Sequence, residues 1–582
     1  MRASRAGGVG MPVAPCALIL AALWLAGAAL LPPMAIAGPD GSGRERIEVR
    51  VASAAPDARR VKESYVSLHA PLPASAPAHP AACDRLGYLR FRHRDGPRKA
   101  KRADAVLVAI PGFLGGAASF DQVARNTVRR AARRDRYVEF WALDRRANCL
   151  EDHTGVQAAA RAGDPGVAFD YYWHGGAVDG RRFDGFATAA DAQFLKRFGL
   201  ERTLRDWYTV VRSELPGRKR RARKLLCGGH SLGGPLTNLF ASWDFDSDPA
   251  TSNDAGHAQC AGFFGLDTSF SFTDSESGLP GLGTASELVA ETGALPFVEL
   301  GFLGPETFQV PAVFGVGAFH QPQATNLIEL LPQTVNIDLA QRLLFSRDAV
   351  SFAIGPTIRD FTLTNELALG GIFDDNSNPI GILRSSVGFA TGGPIADKSF
   401  PAPDPTLAIP EDPDNPVYSW QSYDEVGADG APLELNDAGA PYTSRDSEVS
   451  DLRQLARAMF EAPANFIEQY FPTRILVDVI AAEAGDASGP FEDRLHDGVG
   501  QRPALLVQAG DSESNSGEGG GFEIGEPPND NPLSREVILA GYNHLDVVTA
   551  ARRQNDGGPE GSSRALARFA LEVAGKRRRA GR

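Results

Sequence analysis

The chain is poor in cysteine, with 5 in 582 residues, and none is spaced against a histidine as a zinc site requires. It has no excess of positive charge. Its 59 Lys and Arg face 72 Asp and Glu, a net of −13, which argues against a nucleic-acid partner. Basic runs do occur at Arg129 to Arg134, Arg218 to Arg223 and Lys576 to Arg579. Each lies on or beside a predicted helix or at the terminus, where a solvated face is the expected reading. After Ala37 no apolar run is long enough to cross a bilayer. Histidines number only 10, so each one in a loop after a strand is a candidate worth weighing.

The N-terminus reads as an export signal. Arg2 and Arg5 precede an apolar run from Ala17 to Leu31, and Ala35-Ile36-Ala37 is a small-x-small processing site. Cys16 precedes the apolar run, which disfavours a lipid anchor. The expectation is a mature protein exported to the periplasm or beyond the cell, where disulfides are permitted. Of the four remaining cysteines, Cys83 and Cys149 fall in loop-like contexts and are expected to pair. Cys227 lies inside a strand pattern and is expected to be a buried thiol.

At this length one compact core is too small a unit, so a large domain with a second module or insertion is expected. Residues 38–82, rich in Ala, Pro and Ser, read as a loosely ordered leader after a signal over 1–37. From Arg85 to Asp267 the pattern is β–α. Ala105 to Ile110 is a continuous apolar run, as a strand buried on both faces should be, and Tyr137 to Leu143 and Ala261 to Leu266 follow suit. The rhythm then stops over about 276–500, a stretch full of Gly, Pro, Phe and Leu with an acidic, turn-rich part from Pro401 to Asp446. It resumes at Pro503 to Gly510 and Glu536 to Ala540. A core over 83–275 and 501–582, split by one insertion over 276–500, is therefore predicted.

The densest signal is Leu225-Leu226-Cys227-Gly228-Gly229-His230-Ser231-Leu232-Gly233. A strand runs into Gly-x-Ser-x-Gly and then into a helix-compatible stretch to Trp243. Glycines at 229 and 233 let strand and helix pass closely, and the strained turn lifts the Ser231 hydroxyl above the sheet edge. Pro111-Gly112-Phe113-Leu114-Gly115-Gly116 ends an earlier strand. Gly541-Tyr542-Asn543-His544 follows the last strand and opens a helix, which makes His544 the candidate base.

Together these parts, in this order, resemble the α/β-hydrolase superfamily of serine esterases and lipases, over roughly 85–275 and 500–575. The resemblance implies an α/β fold: a mostly parallel sheet with helices on both faces, and a cap formed by the insertion. It implies Ser231 as nucleophile, His544 as base, and the backbone N–H groups of Phe113 and Leu232 as an oxyanion hole worth on the order of 3 kcal/mol per donor. Two places can supply the acid: Asp267, closing Gly265-Leu266-Asp267, or Asp511 or Glu513 after Gly510. Asp546 reads as a helix cap. Asp144 to His153 resembles the family's loop after the next strand, with Ala147 where glycine is usual, and His153 reads as a loop residue. Asp244, Asp246 and Asp248 read as a solvated turn, because the glycine and distal glutamate of a calcium loop are missing, and Asp374-Asp375-Asn376 reads the same way. No metal or cofactor is expected.

The implied activity is hydrolysis of a carboxylic ester, small-molecule or lipid, through an acyl-enzyme. The Phe- and Leu-rich insertion suggests either an apolar wall for a lipophilic group or simply its own core. An exported peptidase, a polyester depolymerase or a non-catalytic binding protein on the same fold are the alternatives.

Overall fold

The computed structural model describes residues 45–248, 250–272, 284–401, 407–422, 448–483, 496–511, 522–523, 526–554 and 558–579. The expected export signal, Glu513 and most of the acidic segment Pro401 to Asp446 lie outside the described residues.

A ten-stranded sheet forms the core. Its strands are β1 (Arg46–Arg50), β2 (Val61–His69), β3 (Arg85–His93), β4 (Ala105–Ile110), β5 (Val138–Asp144), β6 (Leu225–His230), β7 (Gly262–Leu266), β8 (Ala504–Ala509), β9 (Phe522–Glu523) and β10 (Arg535–Leu539). The spatial order is β1-β2-β3-β5-β4-β6-β7-β8-β10-β9. From β5 through β10 the neighbours are parallel, while β1, β2, β3 and β9 add antiparallel edges. Every residue of β4, β6, β7 and β8 is buried, which is why these strands carry little polar alternation.

Helices α1 (Asp121–Ala132), α2 (Gly233–Ser242) and, at the C-terminus, the longer Gly561–Arg579 pack on the strands. The α1 face carrying Val123, Ala124, Val128 and Ala131 is buried, while Arg133 and Arg134 just beyond it are exposed. The fold is α/β, as the sequence predicts.

The stretch expected to be a loose leader instead supplies β1 and β2. Val61, Val66 and Leu68 are buried against the sheet, and their alternation is diluted by the Ala/Pro/Ser bias on either side. Cys83 and Cys149 are bridged, as expected. Cys227 is not a free thiol: it pairs with Cys260. The reason is topological. β6 and β7 are neighbours in the sheet with Cys227 opposite Phe263, and Cys260 lies just before β7, where Ala261 N–H donates to Leu225 O at 2.6 Å.

Between β7 and β8 the chain builds a largely helical body. Its central helix, α3 (Pro305–His320), is buried nearly all round, as a helix apolar on every face must be. α4 (Asn365–Phe373) and α5 (Leu452–Phe460) pack on α3, and two small two-stranded sheets flank them.

Candidate active site

Ser231 sits between β6 and α2 at φ 55°, a left-handed conformation unusual for a residue with a side chain. The turn is possible because its neighbours lack side chains. A Cβ on Gly229 would lie 2.6 Å from Gly233 O, and one on Gly112 would lie 2.6 Å from Ser231 Cβ. Ser231 N–H donates to Leu266 O at 3.1 Å, so the register of β6 against β7 sets the serine beside the residue that ends β7. That residue is Asp267, also at positive φ (41°) and 3% exposed.

Asp267 Oδ1 accepts from Ala509 N–H at 2.9 Å, and Oδ2 accepts from His544 Nδ1 at 2.6 Å. Burial pushes the Asp267 carboxyl up, but the hydrogen bond and charge of His544 outweigh it and hold the group below its usual range. With Nδ1–H committed to Asp267, the imidazole presents Nε2 as its acceptor. Asp511 lies elsewhere: it is exposed, and its Oδ1 accepts from Gly541 N–H at 3.1 Å. Of the two acids weighed among the described residues, the structure joins Asp267 to His544, while Asp511, just after β8, is bonded to the turn after β10.

The Pro111 to Gly116 loop closes over the serine. Leu114 adopts φ 55°, and the N–H groups of Phe113 and Leu232 find no acceptor among the described residues. Two unpaired backbone donors beside a serine can, in principle, receive a developing negative charge. Arg145 holds this loop from behind. Its guanidinium donates to Gly112 O at 2.9 Å, to Gly115 O at 3.0 Å and to Pro111 O, while it pairs with Glu468. Glu468 is fully buried, and burial raises its carboxyl to about 7 despite Arg145. The backbone joins in: Glu468 N–H donates to Leu114 O at 2.7 Å and Gly116 N–H to Phe466 O at 2.8 Å. Arg145 was legible only as a residue after β5. Nothing in the sequence says that residues 465–471 of the insertion return to this loop.

The loop bearing His544 is clasped in the same way. His230 donates Nε2–H to His544 O at 3.0 Å. Burial, followed by the proximity of His544, takes the His230 imidazole down to about 3, so it stays neutral and donates. Leu545 N–H donates to Arg384 O at 3.0 Å.

Asp546 begins the short helix α6 (Asp546–Thr549) but does not cap it. Its carboxylate accepts from Asn543 N–H at 2.8 Å, Ser450 Oγ at 2.6 Å, Ser385 Oγ at 2.8 Å and Ser386 N–H at 3.1 Å. It is an anchor between the His544 loop and the insertion, and burial raises it to about 7. Asp374, expected in a solvated turn, is wholly buried in the same region, with Val387 N–H donating to it at 3.3 Å. Its neighbour Asp375 accepts from Asn543 Nδ2 at 2.7 Å. Short polar side chains that look like turn formers in sequence serve here to fasten two loops.

His153 precedes the helix Thr154–Ala162, with its Nε2 3.6 Å from Glu151. Of the other acidic run, Asp246 and Asp248 are exposed but Asp244 is buried. Carboxylate oxygens of Asp244, Asp246 and Asp254 come within 4.8 Å of one another, and Asp244 Oδ2 is 3.4 Å from His496 Nε2. Among the described residues these are the side chains grouped closely enough to hold a cation, and neither Ser231 nor His544 is among them.

Beside the Pro111 to Gly116 loop lies a cavity of about 100 Å³. Leu114 and Ile467 form the wall nearest the serine, and Phe302, Phe308, Phe314 and Leu343 of the insertion form the rest. Apart from Thr307 and Gln341 the lining is apolar.

No family model matches the sequence, and no curated protein matches it. Similar solved structures include the peroxisomal α/β-hydrolase Lpx1 of Saccharomyces cerevisiae at 15% identity, covering 38% of this chain and 48% of the yeast chain, with a TM-score of 0.19. A lipase in its open form aligns at 10% identity over 91% of this chain and 99% of its own, with a TM-score of 0.26. The juvenile hormone epoxide hydrolase of the silkworm Bombyx mori aligns at 10% identity over 93% of this chain and 80% of its own, with a TM-score of 0.25. Overlaps of this quality carry no argument about activity. The strand order, the serine elbow after β6, the aspartate ending β7 and the histidine after the last parallel strand give the chain an α/β-hydrolase fold.

Proposed function

We propose that this protein is an exported serine hydrolase acting on carboxylic esters. Ser231 is the nucleophile. His544 takes its proton through Nε2 as the serine oxygen attacks the ester carbonyl, and Asp267 holds the imidazole in that tautomer and stabilises its charged form. The N–H groups of Phe113 and Leu232 receive the oxyanion. Collapse of the tetrahedral intermediate expels the alcohol, which takes the proton back from His544, and leaves an acyl group on Ser231. Water, deprotonated by the same histidine, then releases the acid. The observation that carries this reading is the 2.6 Å bond from His544 to Asp267 beside a serine at φ 55°.

The apolar cavity against Leu114 supports a lipophilic acyl or alcohol group, because a polar group would lose its water there without replacement. Export is supported by the two disulfides and by the signal-like N-terminus. Hydrolysis of p-nitrophenyl esters from acetyl to palmitoyl, by the mature chain and Ser231→Ala, tests the reading. Turnover lost in the variant, with an optimum beyond short acyl chains, is expected. Amide cleavage without ester turnover would point to a peptidase, and inertness of a well-folded protein to a binding role.

A further inference from the structure

A second concave site lies on the face formed by α1 and the segment after α6. It is lined by Arg129, Arg130 and Arg133 from the end of α1, by Arg552 and Arg553, and by Asn126, and has a volume of about 150 Å³. The residues come from stretches more than 400 positions apart, and Asn126 Nδ2 donates to Ala550 O at 3.2 Å to hold the two together. In a chain whose net charge is −13, five guanidinium groups around one hollow run against the background.

Among the described residues, nearby carboxylates neutralise these arginines only in part. Asp57 is shared between Arg125 and Arg129, each at 3.2 Å. Arg130 spends its hydrogen bonds on Ser563 Oγ and Glu560 O, and the buried Glu560 carboxylate is bonded to Ser563. Arg133, Arg552 and Arg553 have no carboxylate partner among the described residues. The repulsion registers: burial lowers the Arg552 guanidinium first, and Arg129, Arg133 and Arg553 lower it further. Arg130 is lowered by burial and then, against Glu560, by Arg133, Arg564 and Arg134.

A cleft lined by one sign of charge concentrates its field, and guanidinium forks match the paired oxygens of phosphate or sulfate groups. The hollow has donors on opposing walls and no acidic group among its described lining residues, so it is complementary to a multiply charged oxyanion and not to a carboxylic ester. We propose that this arginine hollow is a binding site for a phosphate-bearing ligand, separate from the Ser231 centre.

The test uses the mature protein and the double variant Arg552→Glu/Arg553→Glu, whose exposed positions leave the core untouched. Pyrophosphate and inorganic phosphate are titrated by calorimetry against sodium chloride of equal ionic strength. In parallel, co-sedimentation is measured with phosphatidylglycerol vesicles and with phosphatidylcholine vesicles. Binding of pyrophosphate or phosphate that weakens at least about tenfold in the variant supports the site with a soluble ligand, since each charge-assisted bond lost exceeds that factor. Binding confined to phosphatidylglycerol vesicles and lost in the variant supports it with a lipid headgroup. No binding to any probe, or binding that the variant retains, overturns it. Ester turnover is not a readout, so failure here leaves the Ser231 reading untouched.

Discussion

Three side chains carry the proposed chemistry at the residue scale, and their neighbours define sharp substitutions. Ser231→Ala should lower kcat on the order of 10⁶-fold, because removing a nucleophile removes the whole covalent route. Asp267→Asn should cost on the order of 10⁴-fold by favouring the wrong tautomer of His544, whereas Asp511→Asn, bonded to Gly541, should leave ester turnover unchanged. Steady-state kinetics on one p-nitrophenyl ester decides between the two acids. Ser231 and His544 were legible because each stands in a local motif with its strand and helix beside it. The acid was not, because both candidates end a parallel strand and only the side-chain geometry separates them. Arg145 was illegible as a functional neighbour for a different reason: its partners, the carbonyls of the oxyanion loop and Glu468, come together only in three dimensions. Arg145→Ala should reduce kcat about tenfold to a hundredfold with little change in KM, since it positions the loop without touching substrate, and Arg145→Lys should restore little of it because a point charge cannot bridge three carbonyls.

At the scale of elements, β4 and β6 could be read directly from apolar runs bounded by Gly-rich turns, and the interruption after β7 could be read from the loss of β–α rhythm. The edge strands β1 and β2 were hidden by their neighbours' composition, and the Cys227–Cys260 bridge by ignorance of strand order. The role of the insertion was the largest omission. Its residues 465–471 hold the oxyanion loop, and Arg384, Ser385, Ser386 and Ser450 hold the His544 loop. The insertion also walls the apolar cavity. Ala340 is partly buried at that wall, so Ala340→Leu should shift the preferred acyl chain shorter while leaving acetyl-ester turnover unchanged. A chain-length series on the variant checks this.

For the whole molecule, core and insertion are fastened by buried carboxyls and by cross-links, and both should show in stability. Asp546 is raised by burial to about 7. A carboxyl raised in the folded state contributes stability below its unfolded value of about 3.9, and that contribution is lost as pH rises through about 7. The melting temperature should therefore fall between about pH 4 and pH 7, and fall less in Asp546→Asn, as differential scanning fluorimetry would record. The Cys227–Cys260 bridge spans 33 residues, so its removal should cost about 3–4 kcal/mol on a chain-entropy account, measurable by urea unfolding of Cys227→Ser/Cys260→Ser. Parallel pairing of β7 with β8 across the insertion brings Asp267 and His544 together, and the central claim is that this pair activates Ser231. Its most direct test is labelling the native protein with a fluorophosphonate and mapping the adduct by mass spectrometry. The account predicts one adduct, on Ser231, that is lost on unfolding and in His544→Ala. A native, well-folded protein that stays unlabelled at Ser231 would contradict it.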